Sequence, residues 1–397
     1  MKIGVIFEGN PKKPGGFYQS LQSLNLLHDI KSSEYNLEVI TLEKDTFDYL
    51  KNRFNVNLFG TSLFLKLFNF MTNSVFFNNI IYKYSIKHPF EKFLEKNKFD
   101  LVIFLSPHNL CFFCGKTNFI FNIWDLDHKK NTPYPEHRVN YNYKKREDLL
   151  DFVLFHSFHI IVPDNKIKNE LIQIYNCDKE KLLVQNFIPY LPSFYKKNRE
   201  KNYKNIFLHL NIKNKKIILY PATFWPHKNH HYLIEVSKIL KANKNEDYIF
   251  VLCGSDKGAI NKINLDIKEH NLENYFHIFS LISDEELISI YLNAYAVIMT
   301  TDGGPTNLPM YEAFFFEKPL FYSNHLLDKK DDLSSLFIGV DIGNPKDLYN
   351  KLINLDESHS SKMIKNAKKY FLQNCSGDKF KKNYINIFAE FYKKKNW

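Results

Sequence analysis

The 397-residue chain predicts an α/β protein built from two halves, each a parallel sheet covered by helices. Three observations predict it. Short, continuously apolar runs recur along the chain, as strands buried on both faces require. Segments of helical periodicity separate them, which is the pattern of βα units. The length fits two domains of about 100–200 residues each, and 44% hydrophobic residues are enough for a core in each half.

In the first half the clearest strands are Lys2–Phe7, Asp100–Leu105, Phe119–Trp124 and His159–Val162. The opening run KIGVIF is too short for a signal-peptide core and leads straight into a loop, so it reads as a first strand. In the second half the strands are Lys216–Tyr220, Tyr248–Cys253, Phe276–Phe279 and Ala296–Thr300. One helix is marked in detail. Ser283 with Glu286 three residues later is a capping box, and Leu287, Ile290, Tyr291 and Ala294 follow at the spacing of one buried helical face. The polar, charged stretch within Pro192–Lys215 marks a boundary. The domains expected are residues 1–200 and 201–375, followed by an aromatic, helical tail at 376–397 that can cross back to the first half.

The formal charge of +11 has two readings. One is an anionic partner. The other is compositional, because the chain is rich in Lys, Asn, Ile, Phe and Tyr in the manner of a genome biased toward A and T. Lys is scattered, and no nucleic-acid motif is present, so no nucleic-acid partner is expected. Five cysteines, an odd and sparse set, argue against a disulfide framework and for a reducing compartment. Cys111 and Cys114 form a lone C-x-x-C, which reads as a buried structural pair more readily than as half of a zinc site, and no metal is expected. No run of about 18 apolar residues occurs, so no membrane-spanning helix is expected either.

Three stretches carry chemistry. Gly15-Gly16 follows the first strand, where a glycine pair lets backbone N–H groups approach a phosphate or sugar at a helix start, or simply makes a turn. The second is Tyr220-Pro221-Ala222-Thr223-Phe224-Trp225-Pro226-His227-Lys228-Asn229-His230, between a strand and a helix. A Lys at such a junction suits a diphosphate and would offset charge on a leaving nucleotide, or is simply a solvated Lys near a turn. The third runs from Thr301 through Asp302, Gly303 and Gly304 to Thr306, Asn307, Leu308, Pro309 and Glu312. Its Gly-Gly turn enters a helix whose first N–H groups, at Thr306, Asn307 and Leu308, either bind phosphate or belong to a capping arrangement with no ligand. Glu312, about one turn on, is placed to accept hydrogen bonds from ribose hydroxyls.

Taken together, the stretches IILYPATFWPHKNHHYLIE, YIFVLCGS and SDEELISIYLNAYAVIMTTDGGPTNLPMYEAFFFEKP resemble the retaining nucleotide-sugar glycosyltransferases of family 4. The resemblance covers nearly the whole chain and is strongest over Lys216–Pro319. It implies the GT-B fold, two Rossmann-like domains facing across a cleft, with 1–200 binding the acceptor and 201–375 the nucleotide sugar. The stretches FWPHKNH and GPTNLP look like a subgroup that builds bacterial surface polysaccharides, such as lipopolysaccharide or capsule. By this resemblance Lys228 matches the diphosphate lysine, Glu312 the second glutamate of a paired motif, and Gly16 the N-terminal loop glycine. Thr223, His227 and Gly254 join the expected donor-binding set with Gly15, Gly16, Thr306, Asn307 and Leu308. The family's usual Arg is here Thr223, and its first glutamate is here Gly304. On the loop Ile123–His128, Trp124 stands where relatives place a His, which leaves Asp125 and His128 as the polar catalytic candidates. A lone His in such a place is either a sugar contact or a structural residue.

The implied reaction moves a hexose from a UDP- or GDP-linked donor, with no further cofactor, to a glycan acceptor that the resemblance implies is lipid-linked. The alternatives are a non-catalytic partner of the same fold and a sugar-nucleotide epimerase. The segment Leu58–Phe93 mixes aromatic residues with Lys66, Lys83, Lys87 and Lys92. It reads either as a surface that docks on an anionic membrane or as helices packed on the sheet. The location implied is cytoplasmic, at the inner face of the cytoplasmic membrane in the docking case.

Overall fold

A computed structural model describes residues 1–11, 16–30, 34–60, 87–130, 134, 138–212, 215–303, 308–326 and 332–395. The chain divides into two compact units. Unit 1 comprises Met1–Leu126, Asn140–Asn186 and Gly377–Trp397, and unit 2 comprises Asp127–Val139 and Phe187–Ser376.

Unit 1 is built on a seven-stranded sheet in the order β3-β2-β1-β4-β5-β6-β7. The strands are β1 (Lys2–Ile6), β2 (Asn36–Thr41), β3 (Val56–Leu58), β4 (Leu101–Phe104), β5 (Asn118–Asn122), β6 (His159–Val162) and β7 (Leu182–Val184), and every pairing is parallel. The runs LVIF of β4 and HIIV of β6 are buried at every position, as expected of strands covered on both faces. The edge strands β3 and β7 are three residues long and only partly buried, too short to stand out as strands in the sequence.

Unit 2 has a six-stranded parallel sheet in the order β10-β9-β8-β11-β12-β13. Its strands are β8 (Lys216–Pro221), β9 (Tyr248–Cys253), β10 (Phe276–Phe279), β11 (Ala296–Met299), β12 (Leu320–Ser323) and β13 (Ile338–Val340). The helix Asp284–Asn293 begins with the full capping box, Ser283 accepting from Glu286 N while the Glu286 carboxylate accepts from Ser283 N. Its buried residues are Ile288, Ser289, Ile290 and Tyr291, so the helix is covered on a wider arc than the single stripe expected, and Leu287 is only partly buried.

The boundary falls before the polar stretch 192–215. The helix Tyr190–Lys197 runs into that stretch and the helix Tyr203–His209 lies within it, and both belong to unit 2. Leu191, Tyr203 and Leu210 lie in the unit 2 core, Tyr195 packs on Phe315 and Phe316, and Ser289 Oγ donates to Tyr203 O at 2.6 Å. A few large apolar side chains outweigh the charged residues between them. The C-terminal helix Gly377–Lys395 belongs to unit 1. It buries Phe380, Tyr384, Ile387, Phe388 and Phe391. It is also tied there by Glu390 to His159 at 2.9 Å and by Asn383 to Gln185 at 2.8 Å.

Candidate functional site

In a parallel α/β sheet, ligands bind beyond the carboxyl ends of the strands, where neighbouring strands send their connections to opposite sides. In unit 2 that place lies between β8 and β11, which are adjacent in the sheet but far apart in sequence. The second and third chemical stretches are the two segments that leave these strands.

The β8 segment turns tightly. Pro226–Lys228 form a short 3-10 turn closed by Asn229 in the left-handed conformation (φ 51°), from which the helix His230–Ala242 starts. Tyr220 OH donates to Lys228 O at 2.5 Å, and Lys228 N donates to Trp225 O at 3.1 Å, so the backbone beneath the Lys228 ammonium is held from two sides. His230 is buried against Phe224, with ring centroids 4.6 Å apart. Burial, together with the charges of Lys228 and His227, pushes its pKa down to about 3, and the ring is neutral at physiological pH. Gly254 at the end of β9 is required by space. A Cβ there would lie 2.3 Å from Ala222 O and 2.8 Å from Thr223 N, backbone atoms of the same segment. Its role in the fold is thus close approach of two strand ends.

The β11 segment is stitched to this turn. Asp302 N donates to His227 O at 2.8 Å, and Thr301 Oγ1 reaches the same oxygen at 3.2 Å. The Asp302 carboxylate accepts from Tyr134 OH and lies 3.2 Å from His325 Nε2. Tyr134 comes from the 127–139 segment, which the sequence assigns to the first domain and the structure to unit 2. The stitch sets the Lys228 turn beside the approach to the helix Leu308–Phe315.

Glu312 sits on that helix and is buried. Tyr291 OH donates to its Oε2 at 2.7 Å. Burial pushes the Glu312 pKa up to about 7; the Tyr291 hydrogen bond opposes this, and the charge of Asp284 adds to it. The expectation of a carboxylate presented to a ribose is thus met by a carboxyl group already engaged at one oxygen and half protonated near neutrality.

The first-half candidates separate. Asp125 belongs to unit 1 and is held by Arg146, whose Nη2 donates to its Oδ1 at 2.5 Å and to its backbone oxygen at 3.1 Å. His128 belongs to unit 2 and is fully buried, which favours the structural reading of that residue. Gly16 opens the helix Gly16–His28, and a Cβ there would lie 3.0 Å from the Trp124 ring. Gly15, Gly304, Thr306 and Asn307 lie outside the described residues, as does 61–86, most of the proposed membrane-facing segment. Cys111 and Cys114 are both buried, and burial pushes their thiols up. Among the described residues no group of three or more His, Cys, Asp or Glu is arranged to hold a metal ion, and no helix is long and apolar enough to cross a membrane.

Residues 202–370, most of unit 2, match the family model of the glycosyl transferases group 1. The O-antigen chain mannosyltransferase RfbU of Salmonella typhimurium is 23% identical over 168 residues, which are 42% of this chain and 42% of that protein. Among solved structures, Anabaena Alr3699/HepE in complex with UDP-glucose superposes with a TM-score of 0.72 at 15% identity, covering 98% of this chain and 100% of that one. A glycosyltransferase from Rickettsia africae gives 0.71 at 16% identity, covering 99% and 98%. Sucrose-phosphate synthase from Thermosynechococcus elongatus gives 0.73 at 14% identity, covering 99% of each chain. The chain has the GT-B fold of these glycosyltransferases.

Sequence reasoning missed Tyr134, His325 and Tyr291. Each meets its partner across a long separation in sequence, and no local spacing marks it.

Proposed function

We propose that the chain transfers a hexose from a UDP- or GDP-linked donor to a glycan acceptor, with retention at the anomeric carbon and without a metal ion. The observation that carries this is the stitch from Asp302 N to His227 O at the switch point of unit 2, most of which matches the glycosyl transferases group 1 model. It brings the turn bearing Lys228 to the approach of the Leu308–Phe315 helix. In this reading the diphosphate lies there, with the Lys228 ammonium offsetting the charge that grows on the leaving oxygen. That oxygen takes the acceptor proton on the same face of the sugar, so positioning and charge stabilisation do the catalysis and no strong protein base is required. The complex of Anabaena HepE with UDP-glucose supports a nucleotide-sugar donor, and the O-antigen chain mannosyltransferase supports a glycan acceptor in surface polysaccharide synthesis.

The test is thermal stability and turnover with UDP, GDP, ADP, dTDP and CDP and their hexose conjugates, for the wild type and Lys228→Ala. One nucleotide is expected to stabilise the wild type, by about 2.7 kcal/mol at about 100 times its Kd. Lys228→Ala is expected to lose that stabilisation and to turn over at least about 10²-fold more slowly. Wild-type turnover in the variant refutes the assignment of Lys228. No stabilisation of the wild type by any nucleotide favours a non-catalytic protein of the same fold.

A further inference from the structure

In unit 2 the carboxyl group expected at the ribose is held by one of its two oxygens. Tyr291 OH donates to Glu312 Oε2 at 2.7 Å. Tyr291 is fully buried, and burial with the charge of Glu312 raises its pKa well above the usual tyrosine range, so the hydroxyl stays a donor. The two helices are locked together around this contact. The Tyr291 ring stacks on Phe316 with centroids 5.0 Å apart, Phe316 N donates to Glu312 O at 2.9 Å, and Lys318 Nζ donates to Leu292 O at 2.9 Å. Glu312 Oε1 makes no hydrogen bond among the described residues, and it is not sealed from solvent. Asp284, at the start of the Tyr291 helix, is the charged group that acts on Glu312, and Cys253, at the end of β9, acts on Tyr291. The helices Tyr190–Lys197 and Glu357–Asn374 also pack on Leu308–Phe315, and they bring Lys196 and Lys368 to the Phe315 ring. The strands β11 and β12 beside it carry no charged residue and one titratable residue, Tyr322.

The two oxygens therefore differ in what they can do. With Tyr291 donating to Oε2, the proton of the neutral acid sits on Oε1. An ionised Oε1 has lone pairs to accept from two neighbouring hydroxyls, and a protonated one does not. Burial leaves Glu312 half ionised at about pH 7, so a diol and a proton compete there for one oxygen. We propose that Tyr291 is the positioning residue of the ribose site: it holds Oε2, fixes the carboxyl plane, and leaves Oε1 as the acceptor for the 2′- and 3′-hydroxyls of the donor, which selects a ribonucleoside diphosphate over its deoxy counterpart. The proposal rests on the transferase reading above and names the residue that sets up its donor site.

The test uses the full chain in calorimetric titrations with UDP, GDP and their 2′-deoxy and 2′,3′-dideoxy forms, from about pH 6 to about pH 8.5. The phosphate of the nucleotide titrates in the same range, and its effect cancels in the ratio of ribo to deoxy affinity, which is the quantity read. For the nucleotide that binds, the wild type should prefer the ribo form about tenfold or more at about pH 8. The preference should shrink toward acid as the proton returns to Oε1. Tyr291→Phe keeps the ring on Phe316 and removes the hydroxyl, and urea denaturation checks that the variant is folded. It should lower the preference about threefold or more at about pH 8 and move its midpoint to higher pH, because the bond that favours the ionised acid is gone. Deoxy affinity should stay as in the wild type, whereas a merely structural loss would weaken both forms alike. Glu312→Gln should make the ratio flat with pH. A ratio in folded Tyr291→Phe within about threefold of wild type overturns the positioning role. A wild-type preference that does not change with pH overturns the competition at Oε1 without any variant. Nucleotide binding with no ribo preference overturns the ribose site and leaves the transferase reading standing. Failure to bind any nucleotide overturns both.

Discussion

Replacing Glu312 by Gln should make the protein more stable at neutral and alkaline pH and leave it nearly unchanged in acid. The reason lies in proton linkage. Burial pushes the Glu312 carboxyl from its ordinary 4.5 up to about 7, the charge of Asp284 adds to the shift, and the Tyr291 hydroxyl opposes it. In the unfolded chain the group ionises near its ordinary value, so between pH 4.5 and about 7 the folded state holds a proton that the unfolded state has released. The stabilisation is full below 4.5, falls as pH rises, and is gone above about 7. A shift of this size corresponds to about 3 kcal/mol. Gln fills the same volume, and its amide oxygen can accept from Tyr291 OH, so the variant keeps the contact and loses the titration. The assay is urea denaturation from about pH 4 to about pH 8 for both proteins, following a unit 2 signal. The stability difference should grow with pH toward about 3 kcal/mol in favour of the variant, and Asp284→Asn should shrink it by lowering the Glu312 pKa. A difference that is flat across pH, or one that falls, refutes the buried protonated carboxyl.

Gly254→Ala should cost about 1–3 kcal/mol and weaken nucleotide binding together, because its Cβ would meet Ala222 O and Thr223 N of the segment that leads to Lys228. Unchanged melting and nucleotide affinity would show that the segment moves freely. Deleting Gly377–Trp397 uncovers the unit 1 surface against which Phe380, Tyr384, Ile387, Phe388 and Phe391 are buried. At roughly 1.5–3 kcal/mol per side chain, that loss rivals the whole stability of a domain. Unit 1 should then become protease-sensitive while nucleotide binding by unit 2 persists, and a unit 1 that melts as before would contradict the packing of this helix. Ser283→Ala should remove the reciprocal cap of the Asp284–Asn293 helix and cost about 1 kcal/mol by urea denaturation; an unchanged midpoint would refute the cap's contribution.

What the residues alone determined is local. Runs such as HIIV, YIFVLC and AVIM, short and rich in β-branched residues, read as strands buried on both faces, and the structure has them at those positions. The capping box at Ser283 and the turn after β8 were legible for the same reason, since a cap or a tight turn involves neighbours within a few residues. The chain order of the stretches around Lys228 and Glu312 was enough to suggest the family. The tertiary structure decided everything that depends on distant partners. It placed Tyr134 on Asp302, gave Glu312 to Tyr291, and put the 127–139 segment and the helices Tyr190–Lys197 and Tyr203–His209 in unit 2. The short edge strands β3 and β7 also belong to this class, because their pairing comes from neighbours already in the sheet. Periodicity and turn chemistry act over one or two turns of chain. Burial, pKa and the pairing of polar groups are set by which segments the sheet brings side by side, and no local pattern records that.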